Sequence, residues 1–304
     1  MAKPETALTV AICTRNRRAW LLRALASVAE QRASVAWDVL VVENASEDDT
    51  RAAVTSLAND FPVRLAVASE PLRGVSAARN RALAEAGARA VLFLDDDETC
   101  RAGWVEAHAR ALAAPDVIAT GGRILPVLPS DLPEPWRAFL ERDPGGPTGR
   151  YDFGPLPAEC GPGGPALPFA GNLGIARDAA LAAGGFRTDL GRRAQMIPGE
   201  ETALLQRMQR GPGRILYLPD AVIDHHLDAE RISLAAYRRW YRGLGRALAR
   251  IDPPANRRER LGRAARELAR AAWWGLRGRD PHALRRHEGA LGHALELLYR
   301  GSDG

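Results

Sequence analysis

Leu92-Phe93-Leu94-Asp95-Asp96-Asp97-Glu98 decides how the rest of this chain is read. An apolar run, Ala90 to Leu94, meets four acidic residues with no spacer. A short apolar run entering a polar turn reads as a buried strand. In open α/β sheets the ligand site lies outside the carboxyl ends of the strands. Adjacent aspartates at that place repel one another unless a cation neutralises them. A divalent ion such as Mg²⁺ or Mn²⁺, held by carboxylate oxygens and shared with a phosphate substrate, would do so. The alternative is a solvated acidic turn or a helix N-terminus, where carboxylates favour the dipole.

Upstream, Leu8–Cys13, Trp37–Val42 and Val63–Ala68 carry the same strand signal. Helical patterns alternate with them, one holding Trp20, Leu21, Leu25 and Val28 and another running from Gly74 to Ala86. Ser46 and Asp49 form a capping-box-like start for the helix between. Four strands alternating with three helices predict an α/β fold with a mostly parallel central sheet flanked by helices. Downstream, residues 126–168 hold 11 of the 21 prolines and many glycines. This composition argues against a regular helix or an inner strand, and reads as a lid or acceptor-binding loop, or as a linker. Arg214–Leu218 and Ala221–Ile223 are predicted as two short strands ending at His225-His226.

At 304 residues with 46% apolar and 26% charged residues, the chain can bury one large core or two. No stretch approaches the roughly 18 apolar residues of a membrane span, and no charged segment followed by an apolar run marks a signal peptide. Cys13, Cys100 and Cys160 are odd in number and lack metal-site spacing, so reduced thiols and a cytoplasmic location are expected. The net charge of +5 hides an asymmetry: residues 231–300 carry 17 Arg against 6 acidic residues, whereas residues 1–230 sum to −5. The predicted organisation is therefore an acidic region over 1–230 and a basic helical extension over 231–304. Within the first, the Pro/Gly-rich loop over 126–168 separates 1–125 from 169–230.

Taken together the motifs resemble those of the family 2 glycosyltransferases, in the family's order and over roughly residues 8–250. Val10–Asn16 resembles the opening strand and nucleotide loop, and Val41–Ser46 with Asp49-Thr50 the second-strand motif. Gly74 with Ala78-Arg79-Asn80 is similar to the third-helix motif, and Asp95-Asp96-Asp97 to the D-x-D. Gly171-Asn172 with Gly184-Gly185-Phe186 resembles the acceptor-side segment, Gly199-Glu200-Glu201 the stretch with the catalytic base, and Pro219–His226 the closing strand. The resemblance implies a GT-A, Rossmann-like catalytic domain over 1–230, with 1–125 as its nucleotide-binding half and 169–230 as its acceptor and catalytic-base half. It also implies transfer of a sugar from a nucleotide diphosphate, UDP by default, to a hydroxyl with inversion. The expected acceptor is a glycan, a lipid-linked intermediate or a secondary metabolite. Two positions depart from the family pattern: Glu43 stands where Asp is usual, and Glu201 where Asp often follows Glu.

The residue roles follow from that chemistry. Thr14, Arg15, Asn16, Glu43, Asn44, Arg79, Asp95 and Asp96 are the candidate nucleotide-sugar contacts, Arg79 through its planar donor fork. Asp97, Asp95 and His225 are the candidate ligands of a Mn²⁺ or Mg²⁺ ion. Adjacent strand residues face opposite sides, so only one of His225 and His226 can point at the site. Glu201 is the candidate general base, with Glu200 beside it raising its pKa. Both would otherwise serve as helix N-terminal carboxylates. A nucleotidyltransferase is the rival enzyme, but its glycine-rich, lysine-containing phosphate loop is missing from the sequence. A non-catalytic nucleotide-sugar-binding protein is the rival outside enzymes.

In the basic extension, Leu234, Tyr237, Tyr241, Leu244, Leu248 and Ile251 recur at helical spacing with Arg238, Arg239, Arg242, Arg246 and Arg250 elsewhere on the cylinder. Trp273-Trp274 follows, flanked by Arg270 and Arg277. A basic amphipathic helix with aromatics can lie on an anionic bilayer, giving peripheral contact of the C-terminal helices at the inner face of the cell membrane. It can equally pack on the protein with its arginines in water. No nucleic-acid motif accompanies the charge, and no nucleic-acid partner is expected.

Overall fold

A computed structural model of the chain describes residues 6–141, 146–192, 196–228, 231–276 and 281–299. In chain order the elements are β1 (Leu8–Thr14), α1 (Arg18–Ala29), β2 (Trp37–Glu43), α2 (Thr50–Leu57), β3 (Leu65–Ser69), α3 (Val75–Glu85) and β4 (Ala90–Asp95). There follow β5 (Glu98–Cys100), α4 (Trp104–Leu112), β6 (Val117–Val127), α5 (Glu134–Glu141), β7 (Ala158–Glu159), β8 (Asn172–Ala176) and α6 (Arg177–Ala182). The chain ends with β9 (Gly191–Arg192), β10 (Met196–Ile197), α7 (Glu200–Met208), β11 (Arg214–His226), α8 (Leu234–Ile251), α9 (Arg257–Leu276) and α10 (Pro281–Tyr299).

The described residues form two compact units, each discontinuous in sequence. One takes residues within 1–127, 149–188 and 200–226, the other those within 128–148, 189–199 and 227–304. A contiguous division at 230 does not show this, because segments 128–148 and 189–199 join the C-terminal helices.

The first unit is built on a nine-stranded sheet in the order β3-β2-β1-β4-β8-β6-β11-β5, with β7 beside β11. β3, β2, β1 and β4 are parallel neighbours. β1, β2 and β4 are almost wholly buried along their lengths. This is the pattern of strands covered on both faces, and it explains their continuous apolar runs. The alternation of strands and helices predicted this half. The other half is mixed: β8 runs antiparallel between β4 and β6, and β5 pairs antiparallel with β11. Those pairings link distant segments without a crossover helix, so the alternation rule does not reach them.

Two local expectations are corrected. The two short strands predicted after Gly213 are one strand, β11, whose register against β6 shifts between Leu218 and Val222. Pro219 lies in that interval and cannot donate a ladder hydrogen bond, so the chain steps past it and resumes pairing. The Pro/Gly-rich segment does contain a regular helix, α5. Pro133 and Pro135 flank its first residue, where backbone N–H groups have no intrahelical acceptor to lose.

In the second unit α8 and α10 pack through small residues. A Cβ on Gly245 would strike the Gly289 carbonyl, and one on Gly292 the Arg242 carbonyl. The buried carboxylates of α10 receive the arginines of α8: Glu288 accepts from Arg242 at 2.7 Å, and Glu296 accepts from Arg246 at 2.8 Å and Arg250 at 2.6 Å. The buried side of α8 carries Tyr237, Tyr241, Ala247 and Ala249, whereas Leu234 and Leu248 are exposed. With Arg238 3.6 Å from Glu288, four of the arginines expected to lie in water are ion-pair partners of α10.

Candidate active site

Parallel pairing brings the carboxyl ends of three strands together: Thr14 is opposite Glu43, and Cys13 opposite Asp95. The acidic turn sits at this edge. Asp96 and Asp97 form the two-residue turn between β4 and β5, and both are buried. The turn is anchored at both ends. The Asp95 N–H donates to Glu98 at 2.9 Å, and the His226 N–H donates to the Asp97 carbonyl at 2.9 Å. Gly171 lies directly against the Glu98 carboxylate, which a Cβ there would displace.

Two arginines organise the charge. Arg79, buried on α3, donates to Asp95 at 2.8 Å and to Glu200 at 2.6 Å, joining the strand end to the start of α7. Burial opposes its charge, but Asp95 and then Glu200 raise its pKa overall. Arg17 donates to Asp96 at 2.7 Å and Asp97 at 2.9 Å, and its guanidinium lies 5.5 Å from the Trp20 ring centre. Sequence reasoning stopped one residue short of Arg17. Its position at the mouth of α1, one turn before an aromatic, was the available signal. Burial pushes the Asp96 carboxyl up to about 6 against the opposing pull of Arg17, and Asp97 adds to the rise.

The remaining expected contacts divide. Thr14 donates its hydroxyl to Asp96 at 2.7 Å, which makes it a support for the acidic turn. Arg15 and Asn16 tie the loop after β1 to the loop after β2: Arg15 donates to the Ala45 carbonyl, and Asn16 exchanges hydrogen bonds with Ser46 and Glu47. Asn16 and Ala45 both have φ of 52°, a left-handed backbone that L side chains rarely adopt. The Glu43 carboxylate accepts from the Ser46 N–H and the Ser69 hydroxyl. Asn44 spends its amide on the Glu70 and Leu72 carbonyls and the Gly74 N–H, shaping the entry to α3. Asn172, expected on the acceptor side, is fully buried. It accepts from Trp104 and His108 and donates to the Arg123 and Ala221 carbonyls, so all its hydrogen-bonding capacity is used inside the sheet. Burial lowers the His108 pKa to about 4, leaving a neutral ring in that network.

Glu200 and Glu201 open α7 and are both buried, but their surroundings differ. Glu200 is held by Arg79. Glu201 receives no hydrogen bond from another residue among the described ones. Burial, and then the Glu200 charge, push its carboxyl up to about 8 against the pull of Arg79.

His225 and His226 point apart, as strand alternation requires. His226 bonds Thr99 at 2.8 Å and lies near the Trp20 ring, whereas His225 Nε2 is 3.8 Å from Asp97 Oδ1. Among the described residues no three His, Cys, Asp or Glu side chains form a metal cage. The Asp97–His225 pair supplies one carboxylate and one imidazole, a donor set suited to a Mn²⁺-like ion. Such ions are commonly held by one or two protein groups and completed by substrate phosphates and water. Asp95 is engaged with Arg79 and does not join this pair. All three cysteines are free thiols.

Known proteins were compared with this chain and its fold. Glycosyl transferase family 2 matches residues 9–164. The succinoglycan biosynthesis protein ExoM of Rhizobium meliloti (strain 1021) is 28% identical over 252 residues, covering 80% of this chain and 75% of the relative. The mannosyltransferase PcManGT from Pyrobaculum calidifontis, solved with GDP-Man and Mn²⁺, superposes with a TM-score of 0.55 at 20% identity, covering 99% of this chain and 76% of that one. S. aureus TarS 1-349, solved with UDP, superposes with a TM-score of 0.56 at 17% identity, covering 98% of this chain and 92% of that one. At such identities the structural likeness is one of fold, and the fold is GT-A.

Proposed function

The chain belongs to glycosyl transferase family 2, and from that premise we propose that this glycosyltransferase moves a sugar from a nucleotide diphosphate to an acceptor hydroxyl in one displacement with inversion. The observation that carries the reading is the contrast between two neighbouring glutamates. Glu200 is fixed by Arg79, while the Glu201 carboxyl, hydrogen-bonded by no other described residue, is pushed by burial up to about 8. A general base works best with its pKa near the operating pH. Glu201 would accept the acceptor proton as the hydroxyl attacks the anomeric carbon from the face opposite the departing diphosphate. Arg79 would hold Asp95 and the start of α7 at a fixed separation through its two bonds.

Asp97 and His225 would hold a Mn²⁺ or Mg²⁺ ion together with the donor diphosphate. When bound, the ion would neutralise charge developing on the leaving nucleotide. Arg17 bonds both Asp96 and Asp97 and keeps their charges compatible without it. UDP is the first donor to test, given the family default and the UDP complex of TarS; the GDP-Man complex of PcManGT makes GDP the second. The name of the Rhizobium relative supports a growing polysaccharide as acceptor over a small metabolite.

Thermal denaturation against UDP, GDP and their sugars, with and without Mn²⁺, tests the donor. A ligand that binds the native state raises Tm by mass action. A Mn²⁺-dependent shift with one nucleotide is the expected result. Binding without transfer to any glycan, lipid-linked or small acceptor would remove the catalytic reading and leave a nucleotide-sugar-binding protein.

A further inference from the structure

Helix α9 inverts the usual placement of its residues. Its buried positions are Ala264 and Ala271, and Trp274 is half-buried against His282, while Leu261, Leu268, Trp273 and Leu276 face outward. Leu261 is 49% exposed, Leu268 42%, Trp273 54% and Leu276 87%. At 3.6 residues per turn, Leu261, Ala265, Leu268, Ala269, Ala272, Trp273 and Leu276 fall in one sector of about 140°. No charged residue from Leu261 to Leu276 enters that sector. Arg266 and Arg270 run along its margin, and Arg257 and Arg258 stand at its N-terminal end, all exposed. Arg270 is paired with Glu267, whereas Arg257, Arg258 and Arg266 have no ion-pair partner among the described residues. An apolar face of this width ordinarily turns to a core. Here the core side is narrow, with Ala264, Ala271 and the half-buried Trp274.

We propose that the outer face of α9 is a docking surface for an anionic lipid bilayer, with the leucines and Trp273 entering the acyl boundary and the flanking arginines meeting headgroup phosphates. Charge complementarity selects this occupant. A second copy presenting the same face would bring its unpaired arginines against these, which like charges disfavour. A nucleic acid would satisfy the arginines and leave the leucine sector without a partner. An anionic bilayer satisfies both, with basic side chains and aromatics at the interface and aliphatic ones below it. No helix among the described residues is long and apolar enough to cross a membrane, so the contact would lie in the interface plane. The sequence pointed to such a contact on the basic helices of the extension as a whole; the fold commits Arg238, Arg242, Arg246 and Arg250 of α8 to Glu288 and Glu296 and leaves the outer side of α9 as the open face.

The test is co-sedimentation of the full chain with vesicles of phosphatidylcholine alone and of about three parts phosphatidylcholine to one part phosphatidylglycerol. Binding only to the anionic vesicles is expected, weakening at least about tenfold as salt rises from about 0.05 to about 0.5 M. The double variant Leu268→Glu/Leu276→Glu should reduce binding at least about tenfold. Both positions are exposed, and an unchanged circular dichroism spectrum verifies folding. If that variant misfolds, Arg257→Glu/Arg266→Glu, which touches no apolar contact, should produce the same loss. Absence of binding, equal binding to both vesicle types, or unaltered binding in the folded variants would overturn the proposal. So would a dimer seen by light scattering that Leu268→Glu/Leu276→Glu dissolves while vesicles are ignored, a result that would assign the face to a second copy. The readout uses neither donor nor acceptor, so its failure is separate from failure of the glycosyl-transfer reading.

Discussion

The proposed mechanism turns on one carboxyl group, that of Glu201. Glu201→Gln keeps the shape of the side chain and removes its proton-accepting capacity. Transfer is expected to fall by roughly 10²–10⁴-fold, with the donor-induced Tm shift retained; full transfer in this variant would exclude Glu201 as base. The pH profile gives a second reading. Because the Glu201 carboxyl is pushed up to about 8, transfer should rise with pH through that region. Glu200→Gln removes the like charge that raises it, so the rising limb should move to lower pH, and an unmoved limb would assign the limb to another group. Linkage adds a stability effect of fixed sign. The folded-state value lies above the ordinary 4.5, so the contribution of Glu201 is fully present below that value and lost as pH rises through about 8. Glu201→Gln should therefore lose less Tm than the parent between about pH 5 and about pH 9.

Among the elements, the strands around the site are held by polar contacts that the sequence motif did not assign. Asn172 links β8 to Arg123 on β6 and Ala221 on β11, and receives Trp104 and His108 of α4. Asn172→Leu would leave these buried donors and acceptors unpaired, each at about 1–3 kcal/mol. The expected effect is a stability loss of several kcal/mol in urea unfolding; wild-type stability with a raised acceptor KM would restore the acceptor-side role. Gly122 belongs to the same support. A Cβ there would meet the Ala221 carbonyl and the Asn172 amide, and a strand backbone cannot yield as a flexible side chain does. Gly122→Ala is expected to cost about 1–3 kcal/mol or more, measured the same way. Asn44, Thr14 and Glu43 show why the motif was only partly legible. The residue types stand where the resemblance put them, but the structure turns each onto a neighbouring loop or carboxylate.

Across the whole molecule, the acidic and basic halves of the sequence map onto different work. The first unit gathers Asp95, Asp96, Asp97, Glu200 and Glu201 at one sheet edge, where Arg17 and Arg79 pair with four of them. A donor diphosphate adds further negative charge, so metal is expected to matter to binding. Chelation with EDTA should remove most of the donor-induced Tm shift, and added Mn²⁺ should restore it. A shift untouched by EDTA would mean that Arg17 and Arg79 suffice for the diphosphate. In the second unit, Glu288 and Glu296 absorb four arginines of α8. The large positive surplus of the extension is therefore part internal structure and part surface charge, concentrated on α9.

The sequence by itself determined the α/β class, the parallel half of the sheet, the acidic turn at a strand end and the glutamate pair that opens α7. These are local features: a buried strand needs a continuous apolar run, and a helix start tolerates adjacent carboxylates. Only the tertiary structure decided which glutamate is left unengaged, which histidine faces Asp97, and which helix of the extension shows its apolar side. Each of those depends on partners far along the chain: Arg79 lies 121 residues from Glu200, Asp97 pairs with a strand that begins at Arg214, and Glu296 lies 46 residues beyond Arg250. Periodicity records what a residue is next to in sequence, whereas charge balance and burial depend on what the fold places beside it.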